Sequence, residues 1–227
     1  MAQIEFKKVT KEYSGFKALN EVSLSVERGE FVFIVGPSGA GKSTLVRLLI
    51  REELPDTGEI LFKDENIADF AGDAIYDLRR KIGVVFQDFK LLDSRTVFGN
   101  VGIALEVTST SEEETTDVVT NVLNMVGLSK KHEQYPSELS GGEMQRVAIA
   151  RSMAHEPLIL VADEPTGMID PDSASEVMKI LEKINKLGTT IIMATHDESI
   201  VDKFKKRVIR FEEGKLVSDK KGGKYRG

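Results

Sequence analysis

Between an unbroken apolar run, Phe31 to Val35, and a stretch of helical character from Lys42 to about Arg51 lies Gly36-Pro37-Ser38-Gly39-Ala40-Gly41-Lys42-Ser43. It matches G-x-x-x-x-G-K-[ST] without a gap. An apolar run of this kind reads as a strand buried on both faces. Strand, glycine-rich turn and helix in that order leave few folds open, because backbone N–H groups of the turn must converge on an anion at a helix N-terminus. Lys42 is placed to reach β/γ-phosphate oxygens and the Ser43 hydroxyl to ligate Mg²⁺. The expected nucleotide contacts are therefore Gly36, Pro37, Ser38, Gly39, Ala40, Gly41, Lys42, Ser43 and the adjoining Thr44.

A second anion-facing helix start appears downstream. In Leu139-Ser140-Gly141-Gly142-Glu143, Ser140 and Glu143 have capping-box spacing, and the glycines between them leave backbone N–H groups uncovered. One nucleotide in one subunit needs only the first site. The surplus points to a nucleotide shared between two copies of the chain.

The intervening and flanking segments read as an α/β chain. Residues 3–9 and 22–27 alternate as strands around a turn at Ser14-Gly15. Glu59 to Phe62, Lys81 to Phe86, Leu158 to Ala162 and Thr189 to Ala194 read as further strands, and Arg207 to Phe211 with Lys215 to Val217 as a closing hairpin. Helical spacing runs through Val118, Val122 and Met125 within 112–126, over Glu143 to Ala154, and through Val177, Ile180, Leu181 and Ile184 within Glu176 to Lys186. Buried strands alternating with helices predict a parallel sheet, with a small antiparallel layer beside it. The expected organisation is one domain over 1–227, in which 1–87 and 157–227 form the core with its antiparallel layer and 88–156 a helical subdomain. The basic tail from Lys220 to Gly227 is expected to be flexible.

Composition narrows the function classes. The chain has no cysteine, which excludes disulfides, thiolate metal sites and Cys nucleophiles. A net charge of −6 argues against a dedicated nucleic-acid binder. The N-terminal residues lack the apolar core of a signal peptide, and the longest apolar runs fall far short of the roughly 20 residues that cross a bilayer. A cytoplasmic protein, peripheral to any membrane, is the expectation.

Further chemistry sits at strand ends. Leu158 to Ala162 leads into Asp163 and Glu164, carboxylates at the edge of a parallel sheet where ligands bind. Asp163 suits Mg²⁺ and Glu164 the polarisation of an attacking water. His196 follows another buried strand and is placed to contact a γ-phosphate and orient water. Gln87 closes the strand Lys81 to Phe86, where its amide suits Mg²⁺, although a lone Gln is weak evidence. Tyr13 offers a face for adenine or plain strand packing. His132 and His155 read as surface residues. Phe89, Leu91 and Leu92 read either as an exposed apolar groove for a partner helix or as a satellite core.

Taken together, these residues resemble the ATP-binding subunit of ABC transporters over essentially the whole chain. Tyr13 matches its A-loop, Gly36 to Ser43 Walker A, Gln87 the Q-loop and Leu139 to Glu143 the signature. Asp163-Glu164 matches Walker B with its catalytic Glu, Ile169-Asp170 the D-loop and His196 the switch. The resemblance implies a P-loop NTPase with a RecA-like core, an antiparallel β subdomain and an α-helical subdomain. It also implies a head-to-tail homodimer that closes on ATP and Mg²⁺, each ATP lying on one Walker A and under Ser140, Gly141 and Gly142 of the other copy. Asp170 is carried over as an inter-subunit contact, although Gly167-Met168-Ile169-Asp170 stands where relatives usually have Gly-Asn-Leu-Asp. Phe33 to Ser43, Leu78 to Leu92 and Met193 to Asp197 look most like the family's cell-division branch. That branch implies an FtsX-like integral membrane partner, control of peptidoglycan hydrolases, contact with divisome proteins and a place on the inner face of the cell membrane. An ATPase of a lipoprotein or peptide exporter is the alternative; a DNA- or ribosome-acting ATPase is the third reading.

Overall fold

The alternating and the wholly apolar runs sort into two different sheets in a computed structural model that describes residues 2–108 and 110–226. The chain opens with β1 (Ala2–Tyr13), β2 (Phe16–Glu27) and β3 (Phe31–Val35), followed by α1 (Lys42–Leu49). Next come β4 (Thr57–Phe62), β5 (Glu65–Asn66), α2 (Asp73–Lys81) and β6 (Ile82–Val85). Three helices follow: α3 (Val97–Glu106), α4 (Glu112–Met125) and α5 (Gly141–Met153). The remainder is β7 (Ile159–Asp163), α6 (Pro171–Lys186), β8 (Thr190–Thr195), α7 (Glu198–Phe204), β9 (Arg207–Glu212) and β10 (Lys215–Lys220).

The antiparallel layer has the order β2-β1-β4-β5, and the larger sheet runs β10-β9-β3-β8-β7-β6. Every pairing in the larger sheet is parallel except the terminal β9–β10 hairpin. The apolar runs are explained by what covers the two faces of this sheet. Phe31, Phe33 and Val35 pack with residues of α3, α4, α5 and α6, while Val32 and Ile34 pack with α1 and the antiparallel layer. Leu160 and Ala162 of β7, and Ile191 and Met193 of β8, face the helices. Their neighbours Ile159, Val161, Ile192 and Ala194 face the other way. Strict alternation between two dry layers demands a strand with no polar position, and each such large side chain gains about 1.5–3 kcal/mol from burial.

Several boundaries differ from expectation. Helix α5 begins at Gly141, because Ser140 is its cap, and α6 begins at Pro171, a turn and a half before Glu176. Asp170 is the N-cap there and Pro171 fills the first position, a start signal present in the sequence. The buried stripe of α4 is Val119, Val122 and Leu123, with Val118 and Met125 at its margins. Helices α2, α3 and α7 add to the elements anticipated. The expected free tail is instead tied down as far as it is described: β10 extends to Lys220, and Tyr225 and Arg226 bond α7, while Gly227 lies outside the described residues.

A buried polar clip locks the two layers together. The Thr190 hydroxyl donates to Gln3 Oε1 and accepts from the Gly29 N–H at 2.8 Å, while Gln3 Nε2 donates to the Leu158 carbonyl at 3.2 Å. Thr190 is 0% and Gln3 4% exposed. Thr190→Val keeps the shape but strands both partners, so it should cost about 1–3 kcal/mol. Urea unfolding followed by circular dichroism measures this; an unchanged midpoint would show that the clip is dispensable.

Candidate nucleotide site

Register across the parallel sheet brings the expected residues together. Val35 pairs with Thr195, Asp163 with Ala194, and Val85 with Ala162. The segments leaving β3, β6, β7 and β8 therefore emerge side by side and open on a cleft of about 750 Å³. Tyr13, Pro37, Ser38, Gly39, Gly41, Lys42, Ser43, Thr44, Gln87, Asp163, Glu164 and His196 line it. Gly36 and Ala40 lie buried behind the loop, Ala40 at 2% exposure. A larger, more open hollow of about 930 Å³ lies on the antiparallel layer, lined by Glu5, Lys7, Glu21 and Ser23, without a comparable set of catalytic groups.

The loop is shaped by packing as well as by its missing side chains. Gly41 has φ 103°, and a Cβ there would fall 2.3 Å from the Ala18 carbonyl oxygen of β2. Only glycine lets the helix N-terminus approach that strand so closely. Lys42 is 8% exposed, and its Nζ donates to the carbonyls of Gly36 at 2.8 Å and Pro37 at 3.1 Å. The same ammonium lies 4.0 Å from Glu164 Oε1.

Glu164 is the centre of the arrangement. Its Oε1 is 2.8 Å from His196 Nδ1, and its Oε2 accepts from the His196 backbone N–H at 3.2 Å. Its backbone is left-handed at φ 49°, rare for a residue with a side chain, and its N–H bonds the Ala194 carbonyl at 2.9 Å. Asp163 has an Oδ1 that is buried without a hydrogen-bond partner, in a carboxylate that lies beside the Ser43 hydroxyl. Burial pushes the Asp163 carboxyl up, against the Ser43 hydrogen bond and the Lys42 charge. An orphaned carboxylate oxygen beside a hydroxyl fits a hard cation whose shell is completed by substrate phosphates and water. Among the described residues no cluster of three His, Cys, Asp or Glu forms a self-sufficient metal cage.

Gln87 is exposed and leans on Gly167, where a Cβ would fall 3.0 Å from its Nε2. The segment after it is tied down: Arg151 donates to the carbonyls of Phe89 at 2.9 Å and Lys90 at 2.7 Å. Fully buried Asn100 accepts from the Leu92 N–H at 2.7 Å. Leu91 packs on the core and Phe89 is half-buried, so of this trio only Leu92 is exposed, which favours the satellite core. His132 is exposed, whereas His155 is half-buried and its pKa is pushed down by burial and by the charge of Arg80.

The second expected phosphate site does not reach the cleft of its own chain. Ser140 Oγ accepts from the Glu143 N–H at 3.3 Å, and Glu143 Oε2 accepts from the Ser140 N–H at 2.9 Å, completing the box. Lys131 adds an ion pair to Glu143 at 2.5 Å. The Lys131 ammonium, then the Ser140 backbone N–H, hold the Glu143 carboxyl down at about 2. Gly141 lies beside Met168 and Ile169. Asp170 caps α6, accepting from the N–H groups of Asp172 and Ser173, both at 3.0 Å. Within one chain, then, Ser140, Gly141, Gly142 and Asp170 stand apart from the cleft. Three residues not anticipated do line it: Phe16, 58% exposed and just across the turn from Tyr13, Ala18 two residues further along β2, and Tyr225 near the C-terminus. An aromatic directly after the Ser14-Gly15 turn was the available signal for Phe16; nothing local marks Tyr225.

Comparison with known proteins accords with this geometry. The ABC transporter family pattern matches residues 19–167. The cell division ATP-binding protein FtsE of Bacillus subtilis is 52% identical over 223 residues, covering 98% of each chain. The Mycobacterium tuberculosis protein of the same name is 48% identical over 219 residues, 96% of this chain and 95% of its own. Among solved structures, cbiO1 from Clostridium perfringens, part of the ABC transporter complex cbiONQ, superposes with TM-score 0.90 at 35% identity, covering 97% of this chain and 89% of its own. The cassette MJ0796, a dimer in a post-hydrolysis state bound to ADP and Pi, gives 0.87 at 35% identity and 99% coverage of both chains.

Gly142 separates packing from ligand contact. A Cβ there would fall 2.4 Å from Ser173 Oγ and 2.6 Å from Ser173 Cβ, so α5 and α6 touch through this glycine. Gly142→Ala should destabilise the chain by about 1–3 kcal/mol, and adding Ser173→Gly should recover most of that loss in thermal melts. Failure of the second change to recover stability would refute the contact.

Proposed function

The chain belongs to the ABC transporter family as an ATP-hydrolysing cassette of it, and we propose that it powers an FtsEX-like complex in cell division. In this reading ATP-driven closure of two copies moves an FtsX-like membrane partner that controls peptidoglycan hydrolases. The observation that carries the ATPase chemistry is the meeting of Lys42, Glu164 and His196 in one cleft. The division role is supported by the near-full-length likeness to proteins named FtsE. Among the described residues no helix is long and apolar enough to cross a membrane, which accords with attachment through a partner.

Tyr13, with Phe16 beside it, provides an aromatic wall for adenine. The P-loop N–H groups and Lys42 hold the β- and γ-phosphates. Ser43, Asp163 and Gln87 would hold Mg²⁺, which when bound neutralises charge developing on the phosphate oxygens. Glu164 accepts a proton from water as its oxygen attacks the γ-phosphorus and the bond to ADP breaks. His196 keeps the Glu164 carboxylate aimed through its Nδ1. Ser140, Gly141 and Gly142 of a second copy would cover the phosphates, with Asp170 near the seam. The nucleotide core then comprises 1–87 and 157–227, and the helical subdomain 88–156 carries the covering surface.

Glu164→Gln should leave ATP binding intact, slow hydrolysis by about 10²–10⁴-fold and trap an ATP-loaded dimer in size-exclusion chromatography with light scattering. A monomeric, ATP-loaded variant would count against the shared site. Lys42→Ala should abolish tight ATP binding. For the cellular role, the chain expressed in its own host should co-purify with an FtsX-type protein; stable association with a solute permease instead would place it in an exporter or importer.

A further inference from the structure

The geometry points to Tyr225 as a positioning residue of the ATP site, holding the switch residue His196 against Glu164 from the C-terminal tail. This inference rests on the nucleotide site proposed above. Tyr225 lines the cleft that also contains Lys42, Glu164 and His196. Together with Pro37 it also lines an adjoining cavity of about 440 Å³ bounded by Glu198, Arg210 and Arg226. The two residues thus form the wall between the cavities. The ring is half-buried and packs on the same apolar cluster as Ile200 and Val201 of α7.

The tail is bound specifically to α7. The Tyr225 N–H donates to Asp202 Oδ1 at 2.8 Å, and Arg226 Nε and Nη2 donate to Glu198 Oε1 at 3.0 and 2.8 Å. Gly223 is buried, and a Cβ there would fall 3.1 Å from Val208 Cβ of β9, so the chain is drawn in before it reaches the site. Helix α7 starts two residues after His196, with Asp197 as its N-cap. It spans only seven residues, too short to stand without tertiary contacts. Whatever fixes α7 therefore fixes the direction in which His196 leaves β8. His196 itself is exposed, with a side-chain accessibility of 63%, and few neighbours restrain its ring. The tail supplies that restraint from outside the sheet, through an aromatic ring packed on the core beneath α7 and two anchors on α7 itself.

The test reads ATP hydrolysis and its coupling to His196. Tyr225→Ala should lower kcat about tenfold, as a displaced catalytic group does, with KM for ATP changed less than about twofold. Tyr225→Phe, which keeps the ring, should restore kcat. In a His196→Ala background, Tyr225→Ala should have no further effect, because both changes remove the same alignment. Wild-type kcat in Tyr225→Ala, or full additivity with His196→Ala, would overturn the assignment. The chain contains no tryptophan, so Tyr225→Trp adds a lone fluorophore whose emission should change saturably with ATP; indifference to ATP would also overturn it. Lys42→Ala run in parallel separates the two failures. If Lys42→Ala still binds and hydrolyses ATP, the nucleotide site itself is wrong; if it loses both while Tyr225 variants behave as wild type, only the role of Tyr225 fails.

Discussion

The site depends on how one buried ammonium is satisfied. Lys42 is nearly closed off from water, and an unpaired cation there would be untenable. Two loop carbonyls and the Glu164 carboxylate meet it, which ties the end of β3 to the end of β7. Glu164 in turn reaches His196 beyond β8, so three strand ends are joined through one ion pair and one hydrogen-bonding contact. The parallel register makes this feasible, since Val35, Asp163 and Thr195 stand at one sheet edge. The antiparallel layer matters for the same reason: β2 presses on Gly41 and fixes where the helix carrying Lys42 begins.

The segment from Leu139 to Glu143 illustrates how one set of atoms serves structure before function. Ser140 and Glu143 saturate each other, Lys131 reinforces the carboxylate, and Gly142 is small because Ser173 occupies the space where a side chain would be. Asp170 likewise caps α6. None of these contacts involves a nucleotide, and each stands complete within one chain. What they produce is a rigid helix start, held against α6 and separated from the cleft of the same chain. Opposite the cleft of another copy such a surface would cover the phosphates, which is the arrangement proposed above.

Much of this was legible in the sequence because the signals were local. Phe31 to Val35, Leu158 to Ala162 and Thr189 to Ala194 are too apolar to be anything but doubly covered strands, and Ser140 with Glu143 carries its own capping chemistry. The omissions share a different cause. Helix α2 buries Leu78 alone, α3 contains two glycines and β-branched residues that dilute its periodicity, and α7 is only two turns long. Tertiary contacts stabilise these helices, so their own residues announce them poorly. The face of α4 was displaced by one residue for the same reason: half-buried Val118 and Met125 flank the stripe that neighbouring helices select. The start of α6 differs, because Asp170 as cap and Pro171 in the first turn are a local signal.

By itself the sequence determined that a phosphate-binding loop joins a buried strand to a helix, and that two acids, a glutamine and a histidine close other strands. Those conclusions follow from residue type, spacing and the period of apolar positions, which are properties of neighbouring residues. Only the tertiary structure decided that Glu164 lies between Lys42 and His196, that Asp163 keeps an unpartnered oxygen, and that the tail returns Tyr225 to the cleft. These are contacts across 32 and 122 residues, an orphaned atom created by burial and a distant segment folded back to the cleft wall, and no local pattern encodes them. Strand order brings such groups together because the sheet aligns the ends of β3, β7 and β8, which are far apart in the chain.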